Sequence, residues 1–244
     1  MLLSGRLVIS GPCAPAFNMA CDQALGLCAA GPVLRFYQWE PAAVSLGYFQ
    51  TPDEVRPFMA GLPAEIPLVR RITGGGAIYH YRELTYALIA PAGMLDLPAR
   101  TADSYRHIHA PFIRVLRELG VAAADGSDAA AQRTTVCFDS ITPYDVSVGG
   151  RKIMGSAQRR HRQFFLQHGS LPLEANPFAA RATSIAEELG RPVDVRDLAG
   201  RLAAAISAQL RIALVPSVLT VAEAELAARL EDECIVHPLA KETT

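Results

Sequence analysis

The sequence predicts an α/β fold in which a mixed β-sheet is flanked by helices. Three observations carry that reading. β-Branched and aromatic runs recur between residues 33 and 90 and again between 144 and 168; a long amphipathic segment stands between them; and the stretch after Pro177 is rich in Ala, Leu, Arg and Glu. No repeat, low-complexity tract or obvious linker interrupts the chain, so one domain over residues 1–244 is expected.

Asn18 reads as an N-cap ahead of the helix-favouring run from Met19 to Leu25. Cys21 and Cys28, seven residues apart, are expected on that helix's buried face. The runs from Val33 to Tyr37 and from Ala43 to Tyr48 read as strands around a Glu40-Pro41 turn. A further strand from Pro67 to Ile72 leads into Thr73-Gly74-Gly75-Gly76, and extended structure continues from Ala77 to His80 and from Leu84 to Ala90. Ile108, Phe112, Val115, Leu116 and Leu119 recur at helical spacing, with Asp103 as cap and Gly120 as stop. The small, polar stretch from Asp125 to Thr135 reads as a loop leading to Cys137. Tyr144, Val146 and Val148 alternate, Gly149-Gly150 signals a two-residue hairpin turn, and the returning strand carries Lys152. A strand from Phe164 to His168 ends at Gly169, and the remainder from about Pro177 reads as mostly helical.

Composition narrows the function classes. Half of the 244 residues are hydrophobic, 19% are charged and the formal net charge is −1, so nothing global points to nucleic acid. No signal peptide and no run of about 18 apolar residues is present, and a cytoplasmic chain with reduced thiols is expected, with no membrane contact. Five cysteines without a C-x-x-C pair argue against both zinc and a disulfide framework. Positive charge gathers at Arg70, Arg71, Arg151, Lys152, Arg159, Arg160 and Arg162, which is either a solvated face or a surface for an acidic protein partner.

The residues with most chemical potential are Cys137 and, fifteen positions later, Lys152. A nearby ammonium stabilises a thiolate, and the thiolate is the nucleophile. Gly74, Gly75 and Gly76 allow close backbone approach to a ligand, with Arg70 and Arg71 beside them as carboxylate or phosphate partners. Their spacing matches neither a Walker loop nor a dinucleotide fingerprint. His80, His161 and His168 are candidates for acid–base work.

Several segments together resemble the superfamily of lipoate-protein ligases, octanoyltransferases and biotin ligases. They are Asn18-Met19-Ala20 with Asp22, the stretch from Arg35 to Pro41, the stretch from Ser45 to Gln50, and Arg70-Arg71-Ile72-Thr73-Gly74-Gly75-Gly76-Ala77-Ile78-Tyr79-His80. Gly150-Arg151-Lys152-Ile153-Met154-Gly155-Ser156-Ala157-Gln158 and Gln167-His168-Gly169-Ser170 resemble the lysine motif and the strand after it. The resemblance covers about residues 15 to 175 in the expected order, and Tyr81 departs from it where many relatives carry Asp.

This resemblance implies a biotin/lipoate ligase-like catalytic domain with an acyl tunnel near the glycine loop. It places Arg71, Gly74, Gly75, Gly76, His80, Gly155, Ser156, Ala157 and His168 at the substrate and Lys152 at the acyl carbonyl. Cys137-Phe138-Asp139 resembles the cysteine-dependent octanoyltransferase branch related to lipoate-protein ligase A. The better-known octanoyltransferase branch carries its cysteine after the His-Gly strand, where Leu171-Pro172-Leu173-Glu174 has none. Tyr144-Asp145 stands where the ATP-dependent ligases show Asn-Asp, and the roughly seventy residues after Ser170 leave no room for their accessory domain. The expectation is octanoyl transfer from acyl carrier protein, through a Cys137 thioester, to the lysine of a lipoyl domain such as glycine-cleavage H protein. No cofactor, ATP or metal is expected, and the protein is expected to be a monomer. The alternatives are an ATP-dependent lipoate ligase, an octanoyl or lipoyl amidotransferase, and a non-catalytic lipoyl-domain binder.

Overall fold

The computed structural model describes residues 2–63, 65–126 and 142–237. Cys137 lies outside the described residues, as does most of the stretch read as the loop before it.

An eight-stranded sheet runs in the order β11-β1-β2-β6-β10-β9-β8-β7. Its members are β1 (Leu3–Cys13), β2 (Val33–Trp39), β6 (Glu83–Pro91), β7 (Ala124–Asp125), β8 (Val146–Val148), β9 (Arg151–Arg160), β10 (Phe164–Pro172) and β11 (Ile212–Ser217). β1 is parallel to both β2 and β11; the remaining pairings are antiparallel. A smaller sheet, β4-β3-β5, is built from β3 (Ala43–Leu46), β4 (Leu68–Arg70) and β5 (Ile78–His80).

Helices cover both faces of the large sheet because its central strands are apolar on both sides. Leu84, Tyr86 and Leu88 of β6 join the core beneath α3 (Thr101–Leu119) and α5 (Val195–Leu210). The intervening Ala87 and Ile89 face the second core, built with α1 (Pro15–Cys28) and α6 (Val221–Cys234). Two shorter helices, α2 (Pro52–Met59) and α4 (Ile185–Leu189), complete the set. The mixed sheet and its two helical layers are the architecture predicted. Among the described residues, no helix is long and apolar enough to cross a membrane.

Several local expectations are corrected. Helix α1 starts at Pro15, so Asn18 is interior rather than a cap; its buried amide donates to the carbonyls of Cys13 and Gln38. Cys21 is buried but Cys28, in the last turn, is exposed, so the two do not share a buried face. Helix α3 starts at Thr101 with Arg100 at its N-cap, and Asp103 sits in the first turn. Strand β10 does not stop at Gly169 but runs to Pro172 against β6. The C-terminal part contains a strand, β11, besides its helices.

Gly149 and Gly150 have φ of 54° and 79°, the paired positive values a type I′ hairpin turn requires. The turn joins β8 to β9 and thereby sets the start of the strand that carries Lys152.

Candidate active site

Strand alternation sends β10 side chains to both faces of the sheet, and two polar networks form there. Toward α1, Asp22 accepts hydrogen bonds from Arg35 Nη1, Tyr37 Oη and His168 Nδ1, each at 2.9 Å. The carboxylate fixes the proton on His168 Nδ1, and His168 Nε2 meets Thr73 Oγ1 at 2.7 Å. Thr73 opens the glycine loop, so a chain of contacts runs from the buried Arg35–Asp22 pair to that loop. Asn18 Oδ1 completes the cage by accepting from Arg35 Nη2 at 2.7 Å.

On the same face, Glu83 Oε1 accepts from His80 Nδ1 at 2.7 Å, Thr85 Oγ1 at 2.7 Å and Ser170 Oγ at 2.6 Å. His80 Nε2 meets Ser45 Oγ at 2.7 Å, and Ser45 also accepts from Arg71 Nη1 at 3.1 Å. Trp39 stacks on the His80 ring at 3.7 Å and donates to Thr85 Oγ1. Burial pushes the His80 imidazole below its ordinary range and Arg71 adds to that; Glu83 opposes without reversing it. Neutral His80 therefore donates to Glu83 and accepts from Ser45.

Arg71 is not presented as an open carboxylate or phosphate partner. Its buried guanidinium donates to the carbonyls of Ser45, Gly74 and Gly76, which shapes the glycine loop from within. Gly75 at the loop's tip has φ of 97°.

Toward α3, Ser156 Oγ contacts Tyr86 Oη at 3.0 Å and His109 Nε2 at 2.9 Å, while Gln167 Nε2 donates to Tyr86 Oη at 2.8 Å. Burial drives His109 down to about 3, helped by the charge of Lys152 and opposed by a hydrogen bond with the Tyr144 backbone. Gly169 of β10 makes this crossing possible. A Cβ there would overlap Ser156 Oγ and lie 2.7 Å from both Gly155 O and Tyr86 Cε1.

Between β9, β10 and the small sheet lies a narrow, partly open cavity. Of the predicted site residues, Arg71, His80, Gly155, Ser156, Ala157 and His168 line it. Its inner walls include Met19, Trp39, Ile78 and Thr85, all buried. Gly74 and Gly76 are joined to it through Arg71. Lys152 is not among the described walls. It is buried on the same strand, three residues before Gly155, with Nζ 3.0 Å from Asp145 Oδ1. Asp145 Oδ2 is held in turn by the Thr142 backbone N–H and hydroxyl.

Among the described residues, the buried thiols of Cys21 and Cys234 are unsuited to nucleophilic work, since burial pushes each up to about 12. No cluster of His, Cys, Asp or Glu among the described residues has the makings of a metal centre.

Comparison with known proteins identifies the family. Residues 14–177 match the lipoyl protein ligase A/B catalytic domain. The chain belongs to this family. Octanoyltransferase LipM of Symbiobacterium thermophilum is 35% identical over 247 residues, covering 88% of this chain and 89% of the relative. LipM of Kyrpidia tusciae is 34% identical over 257 residues, covering 92% and 94%. A crystal structure of lipoate-protein ligase A bound with ATP superposes with a TM-score of 0.77 at 24% identity, over 94% of this chain and 95% of that one. That structural likeness concerns the fold.

Sequence reasoning gave no individual role to Ser45, Glu83, Ser170 or His109. The signals were there. Arg35 within β2 and Glu83 at the start of β6 are charges in strands that are otherwise mostly apolar, which demands a buried partner. His109 lies on the apolar stripe of α3 with Phe112 and Leu116.

Proposed function

We propose that this protein transfers an octanoyl group from acyl carrier protein to the lysine of a lipoyl domain, with glycine-cleavage H protein as the first acceptor to test. The observation that carries this reading is the narrow cavity bounded by Met19, Trp39, Ile78 and Ala157, apolar in its lining and adjoining the glycine loop. Its apolar lining suits an acyl chain. The 35% identity to an octanoyltransferase over most of both chains supports the same substrate class.

In the first half-reaction, the Cys137 thiolate attacks the donor's thioester carbonyl. The carrier thiol leaves and takes up a proton, and an acyl-Cys137 thioester remains. In the second, the acceptor lysine, as the free amine, attacks that thioester. An amide forms, the Cys137 thiolate is released and the amine's proton passes to solvent. Thioester exchange is close to isoenergetic and amide formation runs downhill, so ATP is not consumed. Lys152, held by Asp145 on the strand that also lines the cavity, is the cation suited to meet a developing oxyanion and a thiolate.

Intact-mass measurement after incubation with octanoyl-carrier protein, without ATP, tests this. The wild type is expected to gain one octanoyl group and Cys137→Ser none. Absence of the adduct in the wild type, acylation that requires ATP, or an unchanged adduct in Cys137→Ser would each refute the mechanism.

A further inference from the structure

A second, larger and partly open concavity adjoins the acyl cavity, and Arg71 lines both. Arg70, Arg159, His161 and Tyr48 contribute to its walls, with Gln23 of α1 and Glu233 of α6. The acyl-transfer machinery described above makes no use of it.

The charge arrangement here is unusual for this molecule. Elsewhere most of the predicted basic cluster is neutralised or tied down, and Arg162 is exposed between β9 and β10. Arg151 pairs with Glu187 and Glu188, and Lys152 with Asp145. Arg160, outside this cleft, donates to Pro98 O and Gln158 Oε1. In the cleft, Arg70 uses Nη1 on the carbonyls of Gly47, Tyr48 and Gln50. Arg159 uses Nη1 on Ile72 O at 2.6 Å and rests its guanidinium over Tyr48, 4.8 Å from the ring centre. Among the described residues, neither forms an ion pair with a carboxylate, Glu233 included. The backbone contacts hold both side chains in place while leaving the other guanidinium nitrogens for a ligand. Two pre-positioned guanidiniums in a concave site favour one compact anion with several oxygens.

On the acyl-transfer reading above, the donor thioester sits at the end of a phosphopantetheine arm, which carries one phosphodiester between thioester and carrier protein. We propose that this cleft holds that phosphate, with Arg70 and Arg159 as its donors, while the acyl chain occupies the adjoining cavity. An arm is thin enough to enter a concavity beside the glycine loop, which the acidic face of a folded partner is not. The exposed Phe49, beside Tyr48 at the rim, offers an apolar contact for the carrier itself.

Two measurements test the proposal with the full chain. In calorimetric titration, 4′-phosphopantetheine is expected to bind about tenfold more tightly than pantetheine. Arg159→Gln and Arg70→Gln should each remove that difference, and excess ATP should leave it intact. In turnover, Arg159→Gln should raise KM for octanoyl-carrier protein about tenfold. It should leave kcat/KM for octanoyl-N-acetylcysteamine, a thioester without phosphate, and KM for the lipoyl domain unchanged; Arg159→Lys should recover part of the loss. Equal binding of the two pantetheines, displacement by ATP, or an equal loss on both donors would overturn the proposal. The last result would instead assign Arg159 a structural role beneath Tyr48. If the wild type discriminates the phosphate in titration but turns over neither donor, the anion site stands and the acyl-transfer reading fails.

Discussion

Replacing Asp22 with asparagine tests the buried cage that links α1 to the glycine loop. Asp22 and Arg35 are 1% and 0% exposed, and the carboxylate accepts from Arg35, Tyr37 and His168, each at 2.9 Å. Asparagine keeps the shape but offers one oxygen, and its amide turns a donor toward groups that are themselves donors. The Arg35 charge then stays buried with only neutral partners. Removing one member of such a pair costs about 3–5 kcal/mol. For a chain of this size each kcal/mol moves Tm by about 2–4 °C, so a fall of about 6–20 °C is expected. Thermal unfolding followed by circular dichroism reads it, with Asp53→Asn as control. Asp53 pairs with Arg56 at an exposed site, and its loss should cost about 0.5 kcal/mol or less. Asp22→Asn/Arg35→Met should recover part of the loss, because the stranded charge is gone. An Asp22→Asn melt that falls no further than the control refutes the reasoning.

Gly169→Ala should destabilise by about 1–3 kcal/mol and impair turnover, since the added carbon presses on Gly155 O, Tyr86 and Ser156; an unchanged melting temperature in denaturant or heat would contradict this. His109 stays neutral down to about 3 in the folded protein, so its contribution to stability is complete above the unfolded value near 6.5 and is lost as pH falls below it, by up to about 1.4 kcal/mol per unit. His109→Gln should flatten the dependence of Tm on pH between about 6.5 and 4.5, leaving the slope that His80 contributes; an unaltered slope argues against it. Lys152→Met should lower both stability and turnover by stranding Asp145. Adding Asp145→Asn should return stability without turnover, and recovered turnover in the double variant would deny Lys152 a chemical role.

What could be read from the sequence was local. The Gly149-Gly150 turn is set by the backbone angles of two residues, and the period of Ile108, Phe112 and Val115 is contained within α3. Asn18 has capping chemistry and so suggests a later start for α1, yet its amide is used on Cys13 and Gln38 while Pro15 begins the helix. Strand β11 escaped because a six-residue segment containing Pro216, with one buried side chain, has little pattern of its own and is defined by pairing with β1. The site divides in the same way. The motif resemblance pointed to six of the cavity-lining residues, but Asp22 meets His168 across 146 positions and Glu83 meets Ser170 across 87, distances over which spacing carries no information. The charge of Arg71 suggests a ligand partner, whereas the loop carbonyls it serves are brought to it only by the folding of the loop around it.

The pairing of β1 with β11 also has a consequence during synthesis. Leu3 pairs with Ile212, and Arg6 reaches Ser217 and Glu223, so β1 is completed by residues made about two hundred positions after it. Until β11 leaves the ribosome, β1 has one edge of unpaired backbone groups open to other chains. Closing so long a loop carries an entropic cost that places this step late in folding. An extension that slows the docking of β11 would then lower yield through aggregation of the nascent chain, while leaving the activity of the molecules that finish folding untouched.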